Sequence, residues 1–71
     1  MAIIDDIRKR DKKINASTHT VMDYNFDDRY YSIWTYKSAD TDGEHGPKQS
    51  LQFDKHNALK LIKTLEEFLN N

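Results

Sequence analysis

The sequence predicts an α+β domain: a small antiparallel β-sheet of three to four strands packed on one C-terminal amphipathic helix. Two patterns carry that expectation. Between 17 and 37 the chain is rich in Thr, Val, Tyr, Phe, Ile and Trp with a period of two, which suits a pleated, half-buried surface. Between 58 and 69 the period changes, and Ala58, Leu61, Ile62, Leu65, Phe68 and Leu69 recur every three or four residues.

Each element follows in chain order. Residues 1–15 read as a basic N-terminal arm or short helix, with Ile3, Ile4, Ile7 and Ile14 near helical spacing. About a dozen residues are marginal for a helix in water, so the arm is helical only if its isoleucines pack on something. Residues 16–71 form a single α+β domain. Its first part reads as a hairpin with a two-residue turn at Asp27-Asp28, pairing Phe26 with Arg29, Tyr24 with Tyr31 and Met22 with Ile33. Ser38–Pro47 holds both glycines and the single proline, and so reads as the longest loop. Lys48–Phe53 is a third strand with Leu51 and Phe53 on one face. Asp54 then caps the helix, its carboxylate accepting free amide hydrogens of the first turn.

The helix stripe is expected to cover Met22, Tyr24, Tyr31, Ile33, Leu51 and Phe53. The other sheet face, with Val21, Tyr30, Trp34 and Tyr36, is left open. Fully burying one such side chain is worth about 1.5 to 3 kcal/mol, so that face calls for a covering partner.

Composition narrows the function. The chain has 71 residues, no Cys and a net charge of −1. A chain this short buries only about 60% of its unfolded surface, which leaves little room for a deep substrate cavity and makes a homodimer the expected state. Without cysteine there is no disulfide framework, cysteine zinc site or thiol nucleophile. No apolar run reaches the roughly 20 residues that cross a bilayer, and residues 1–14 lack a signal peptide's apolar stretch, so the expected place is the cytoplasm. Charge is unevenly spread. Residues 1–15 carry five basic and three acidic side chains, residues 16–47 two basic and six acidic, and residues 48–71 four basic and three acidic.

Catalytic and metal motifs fail on spacing. Aligning Gly43 with the sixth position of a calcium loop puts Ser38 first and Gln49 twelfth, where carboxylates are required. His19, His45 and His56 have no partner three to five residues away. The serines and carboxylates match no nucleophile elbow or phosphate cradle, so the chain is expected not to be an enzyme and to need no cofactor.

The aromatic face is the informative feature. Tyr30, Trp34 and Tyr36 lie at every second or fourth position, beside Ser32, Gln52, Arg29 and Lys37. Bases stack on such rings for about 1 to 3 kcal/mol each while flanking cations hold phosphates. The same rings also suit a protein interface.

Tyr31-Ser-Ile-Trp-Thr-Tyr-Lys37, then Asp42-Gly-Glu-His-Gly-Pro-Lys48, then Gln49-Ser-Leu-Gln-Phe53 and the capped helix resemble the transcriptional positive cofactor four family, over roughly residues 17–69. The resemblance implies a curved antiparallel sheet backed by the helix, a homodimer through the helices, and single-stranded DNA across the open sheet face. It would put Trp34 and Tyr36 on the nucleic-acid side, with Lys37 and Lys48 at the loop ends. Gln49 stands where the family has glycine, and Lys55 where it has proline after the cap.

Two functions are therefore expected. The first is a small dimeric single-stranded nucleic-acid-binding protein with a transcription-regulatory role. In it Tyr30, Trp34 and Tyr36 stack bases, and Lys37, Lys48, Arg8, Lys9 and Arg10 meet phosphates. The second is a non-catalytic interaction module or inhibitor that binds a larger protein through the aromatic sheet face, ringed by Asp23, Asp27 and Asp28.

Overall fold

A computed structural model describes residues 2–17, 19–36 and 49–71. The Ser38–Pro47 loop, Lys37 and Lys48 lie outside the described residues. The elements are β1 (Ala2–Ile3), β2 (Met22–Phe26), β3 (Tyr31–Thr35), β4 (Gln49–Phe53) and α1 (Lys55–Leu69). They form a four-stranded sheet in the order β1-β4-β3-β2, antiparallel except for the parallel β1–β4 edge, with one C-terminal helix.

The hairpin turn sits one residue later than the sequence suggests. Asp27 Oδ1 accepts the backbone N–H groups of Arg29 and Tyr30, both at 2.8 Å, and the Asp27 N–H donates to the Tyr30 carbonyl at 3.0 Å. An aspartate side chain that bonds its own downstream backbone builds the turn around Asp28-Arg29. Phe26 consequently pairs with Tyr31, Tyr24 with Ile33 and Met22 with Thr35. Moving the turn centre by one residue shifts the register by two. Because the strand period is also two, every side chain keeps its expected face.

Across the sheet, Tyr24, Ile33 and Leu51 share one row and Phe26, Tyr31 and Phe53 the next. The Tyr31 ring lies 5.6 Å from that of Tyr24 and 6.5 Å from that of Phe53, both tilted. The opposite face carries Asp23, Trp34 and Ser50 in one row and Asn25, Ser32 and Gln52 in the other. Trp34 thus points away from the helix side.

The helix starts where the cap predicts. Asp54 is extended, and its Oδ1 accepts the Asn57 N–H at 2.8 Å while its carbonyl accepts from Ala58. The arm departs from the helical alternative. Ala2 and Ile3 pair with Leu51 and Gln52, the Ile4 N–H donates to the Gln52 carbonyl, and residues 4–17 form no helix. The physical reason is the free edge of β4, which offers backbone partners that a marginal isolated helix must forgo.

Asn57, at 4% exposure, fastens this arm: its Nδ2 donates to the carbonyls of Ile4 at 3.0 Å and Asp5 at 3.4 Å, and to Asp54 Oδ1. The arm then follows the helix, with Asp6 bonded to Lys60 at 2.7 Å and Lys9 to Glu67 at 2.6 Å.

Packing of α1 is narrower than its stripe suggests. Among the described residues Phe53, at 5% exposure, is the one buried apolar side chain. Ile33, Tyr31 and Leu51 are half-buried, but Met22 and Tyr24, which the stripe was expected to cover, remain 54% and 60% exposed, and Phe26 68%. The helix leaves β4 directly through a single capping residue and lies over that strand. Its cover does not extend to the edge strand β2. Between hairpin and helix lies an open cavity of about 390 Å³, walled by Phe26, Tyr31, Phe53, Leu61, Ile62 and Leu65.

Candidate nucleic-acid interface

The sheet face away from the helix brings together the aromatic residues singled out from sequence. Trp34 and Tyr36 are two apart in β3 and just beyond it, and so share a face. The Trp34 Nε1–H donates to the Tyr36 hydroxyl at 2.6 Å, and that hydroxyl donates to Asp23 Oδ2 at 2.9 Å. Both rings are half-buried. The chain of bonds fixes the indole, and it gives Asp23 a role in holding the surface together.

Tyr30 stands at the hairpin end of the same face. Beside Trp34 it lines a recess of about 300 Å³ whose polar members are Asn25, Asp27, Ser32 and Gln52. The Arg29 guanidinium lies 5.6 Å from the centre of the Tyr30 ring, within cation–π range, and its side chain lines the cavity on the helix side. Asp27, the anion in this wall, is held below its ordinary 3.8 by the backbone N–H of Tyr30 and then that of Arg29. Its Oδ1 is engaged by the turn, and these bonds keep the carboxylate ionised. Gln52 Nε2 donates to Ser32 Oγ at 3.2 Å, so the floor is ordered by cross-strand pairing.

The basic residues divide differently. Lys9 is engaged by Glu67, whose hydrogen bond and charge raise the lysine above its ordinary 10.5. Arg8 and Lys9 line a second surface hollow with Ile7, Ile14, Thr64 and Phe68, beside the C-terminal half of α1. Arg10 is exposed on the same arm. The structure therefore joins Tyr30, Trp34 and Tyr36 but sets Arg8, Lys9 and Arg10 along the helix. Lys37 and Lys48 fall outside the described residues.

Sequence reading sets Asn25, Ser32 and Gln52 on the aromatic face without giving them a role, and passes over Asn57. The first three alternate with the aromatic positions and read as ordinary outward polar residues; only the register aligns them in one row. Asn57 looks like a helix-surface residue until the arm is placed beside it. Among the described residues no group of three or more His, Asp or Glu is arranged to hold a metal, and no helix is long and apolar enough to cross a membrane.

Comparison with family models, with characterised proteins and with solved structures finds no match for the chain. The resemblance to the positive cofactor four family thus rests on the residues quoted for it.

Proposed function

We propose that this protein is a small homodimeric single-stranded nucleic-acid-binding protein, acting by binding and not by catalysis, in the cytoplasm and in transcription regulation. The observation that carries the reading is the ordered aromatic face: Trp34 locked to Tyr36, Tyr30 beside it, and Arg29 against the Tyr30 ring. Rings held in place before binding lose little entropy when a base stacks on them.

The dimer is supported by the apolar surface left bare: Phe26, Ile62 and Leu65 stand 68%, 51% and 51% exposed around the open cavity beside α1. A second copy seated on Phe26, Ile62 and Leu65 supplies the missing burial. The cavity's rim holds Asp27 and Asp54 with Arg29 and Lys55, a balanced set that two symmetry-related copies can satisfy mutually.

The test is titration of Trp34 fluorescence with oligothymidine at about 50 and 300 mM salt. Quenching that weakens as salt rises is the expected result, because bound cations are released when Arg and Lys neutralise phosphates. Absence of any response at both salts overturns the reading in favour of a protein-interaction module. That second reading draws on Asp23, Asp27 and Asp28 around the aromatic face.

A further inference from the structure

We infer that the free edge of β2 pairs with a second copy of this chain, the two β2 strands running antiparallel about Tyr24 and joining two four-stranded sheets into one. The inference rests on the dimer reading and deepens it, since it names the strand through which the copies meet.

The direction of the backbone groups follows from the ladder. The Asp27 N–H donates to the Tyr30 carbonyl, so Asp27, Asn25 and Asp23 turn their backbone groups to β3, and Met22, Tyr24 and Phe26 turn theirs outward. Among the described residues no strand pairs with that edge. The outward Phe26 N–H is taken by Asn25 Oδ1 at 2.9 Å, a side chain standing in for a neighbouring strand's carbonyl. The side chains along the edge are bare as well: Met22, Tyr24 and Phe26 are 54%, 60% and 68% exposed. An unpaired edge that is apolar on one face is a template for a further strand.

A second copy fits this edge because β2 is complementary to itself. Pairing about Tyr24 sets Tyr24 against the partner's Tyr24, Met22 against the partner's Phe26 and Asp23 against the partner's Asn25. Every residue with outward backbone groups then faces another such residue, and each pair can exchange N–H and carbonyl bonds. The Phe26 N–H passes from Asn25 to the carbonyl of the partner's Met22. Apolar side chains meet apolar ones on the helix side, and no carboxylate opposes another. Sliding the strands by two residues sets Asp23 against the partner's Asp23 in one direction and against the partner's Asp27 in the other, like charges that disfavour pairing. Phe26 also walls the cavity beside α1, so the edge is continuous with the surface proposed for the dimer.

The experiment is cross-linking by a single thiol. The chain has no cysteine, so Tyr24→Cys introduces the sole one. Residues paired across the two-fold have Cα atoms about 5.5 Å apart, within reach of a disulfide. Mild oxidation is expected to cross-link Tyr24→Cys to dimer mass. Asp28→Cys should stay uncrosslinked, because the two copies of that position stand about 27 Å apart along the paired strands. A circular dichroism spectrum matching wild type shows that each variant is folded. In the unmodified chain, exchange of the Tyr24 amide should slow by at least about tenfold as concentration is raised through the dimer transition, and this measurement decides alone if Tyr24→Cys misfolds. Folded Tyr24→Cys that does not cross-link, equal cross-linking of both variants, or Tyr24 exchange that ignores concentration in a chain sedimenting as a dimer overturns the edge pairing and leaves the dimer reading in place. Sedimentation at 8.4 kDa at every concentration overturns both.

Discussion

On the helix side of the sheet, Met22, Tyr24 and Phe26 stand more than half exposed, whereas on the opposite side Ser32, Trp34, Tyr36 and Gln52 are all half-buried. The bareness of the helix side is confined to the edge strand β2, since Phe53 on that same side is buried and Tyr31, Ile33 and Leu51 are half-buried. A helix tethered by one residue to β4 shields that strand and its neighbour, and its protection ends before β2. Polar and aromatic side chains on the other face cover one another by bonding across strands, as Trp34, Tyr36 and Asp23 do. Apolar side chains have no such recourse; they require a partner surface.

The sharpest way to break this contrast is to place a charge in the bare side. Leu65→Asp should weaken self-association by at least about tenfold, with sedimentation velocity moving from dimer mass toward 8.4 kDa. A chain that sediments identically with and without the substitution shows that the cavity is not a dimer surface.

Next in size is the buried amide that ties the arm to the helix. Asn57→Ala removes the buried donor to the part-buried carbonyls of Ile4 and Asp5, at a cost of about 1 kcal/mol in denaturant unfolding. Amide exchange at Ile4, bonded to Gln52, should quicken in the same variant.

The opposite face is probed more gently. Tyr36→Phe keeps the ring but deletes the hydroxyl between Trp34 and Asp23. Stability should drop by about 1 kcal/mol, and tryptophan fluorescence anisotropy should fall as the indole gains freedom. Unchanged anisotropy would mean that the network does not fix the ring.

The smallest effect expected is acid sensitivity of the turn. Asp27 is held below its ordinary 3.8 in the folded chain, so its stabilising contribution is complete above that value. It is lost as pH falls from 3.8 through the lower folded value. Asp6, lowered chiefly by its hydrogen bond with Lys60, acts in the same window. In Asp27→Ala the melting temperature should show a shallower decline below 3.8 than in wild type. Because both carboxylates lie in solvent, the difference is expected to be slight.

Much of this molecule was readable from residue order alone. Alternation from Met22 to Thr35 assigns each side chain to a face, because successive strand residues must point to opposite sides. That assignment survived a shift of the turn by one position. Asp54 announced the helix start, since free amide hydrogens in a first turn need an acceptor. Such features depend on neighbours a few residues away. Tertiary structure alone decided the rest: that Ala2 and Ile3 join β4, that Asn57 clasps the arm across more than fifty positions, that Asn25, Ser32 and Gln52 line up, and how little of the sheet the helix shelters. Each depends on where one element ends up relative to another. Hydrophobic periodicity encodes which side of an element seeks burial, but it carries no information about how far the covering element reaches.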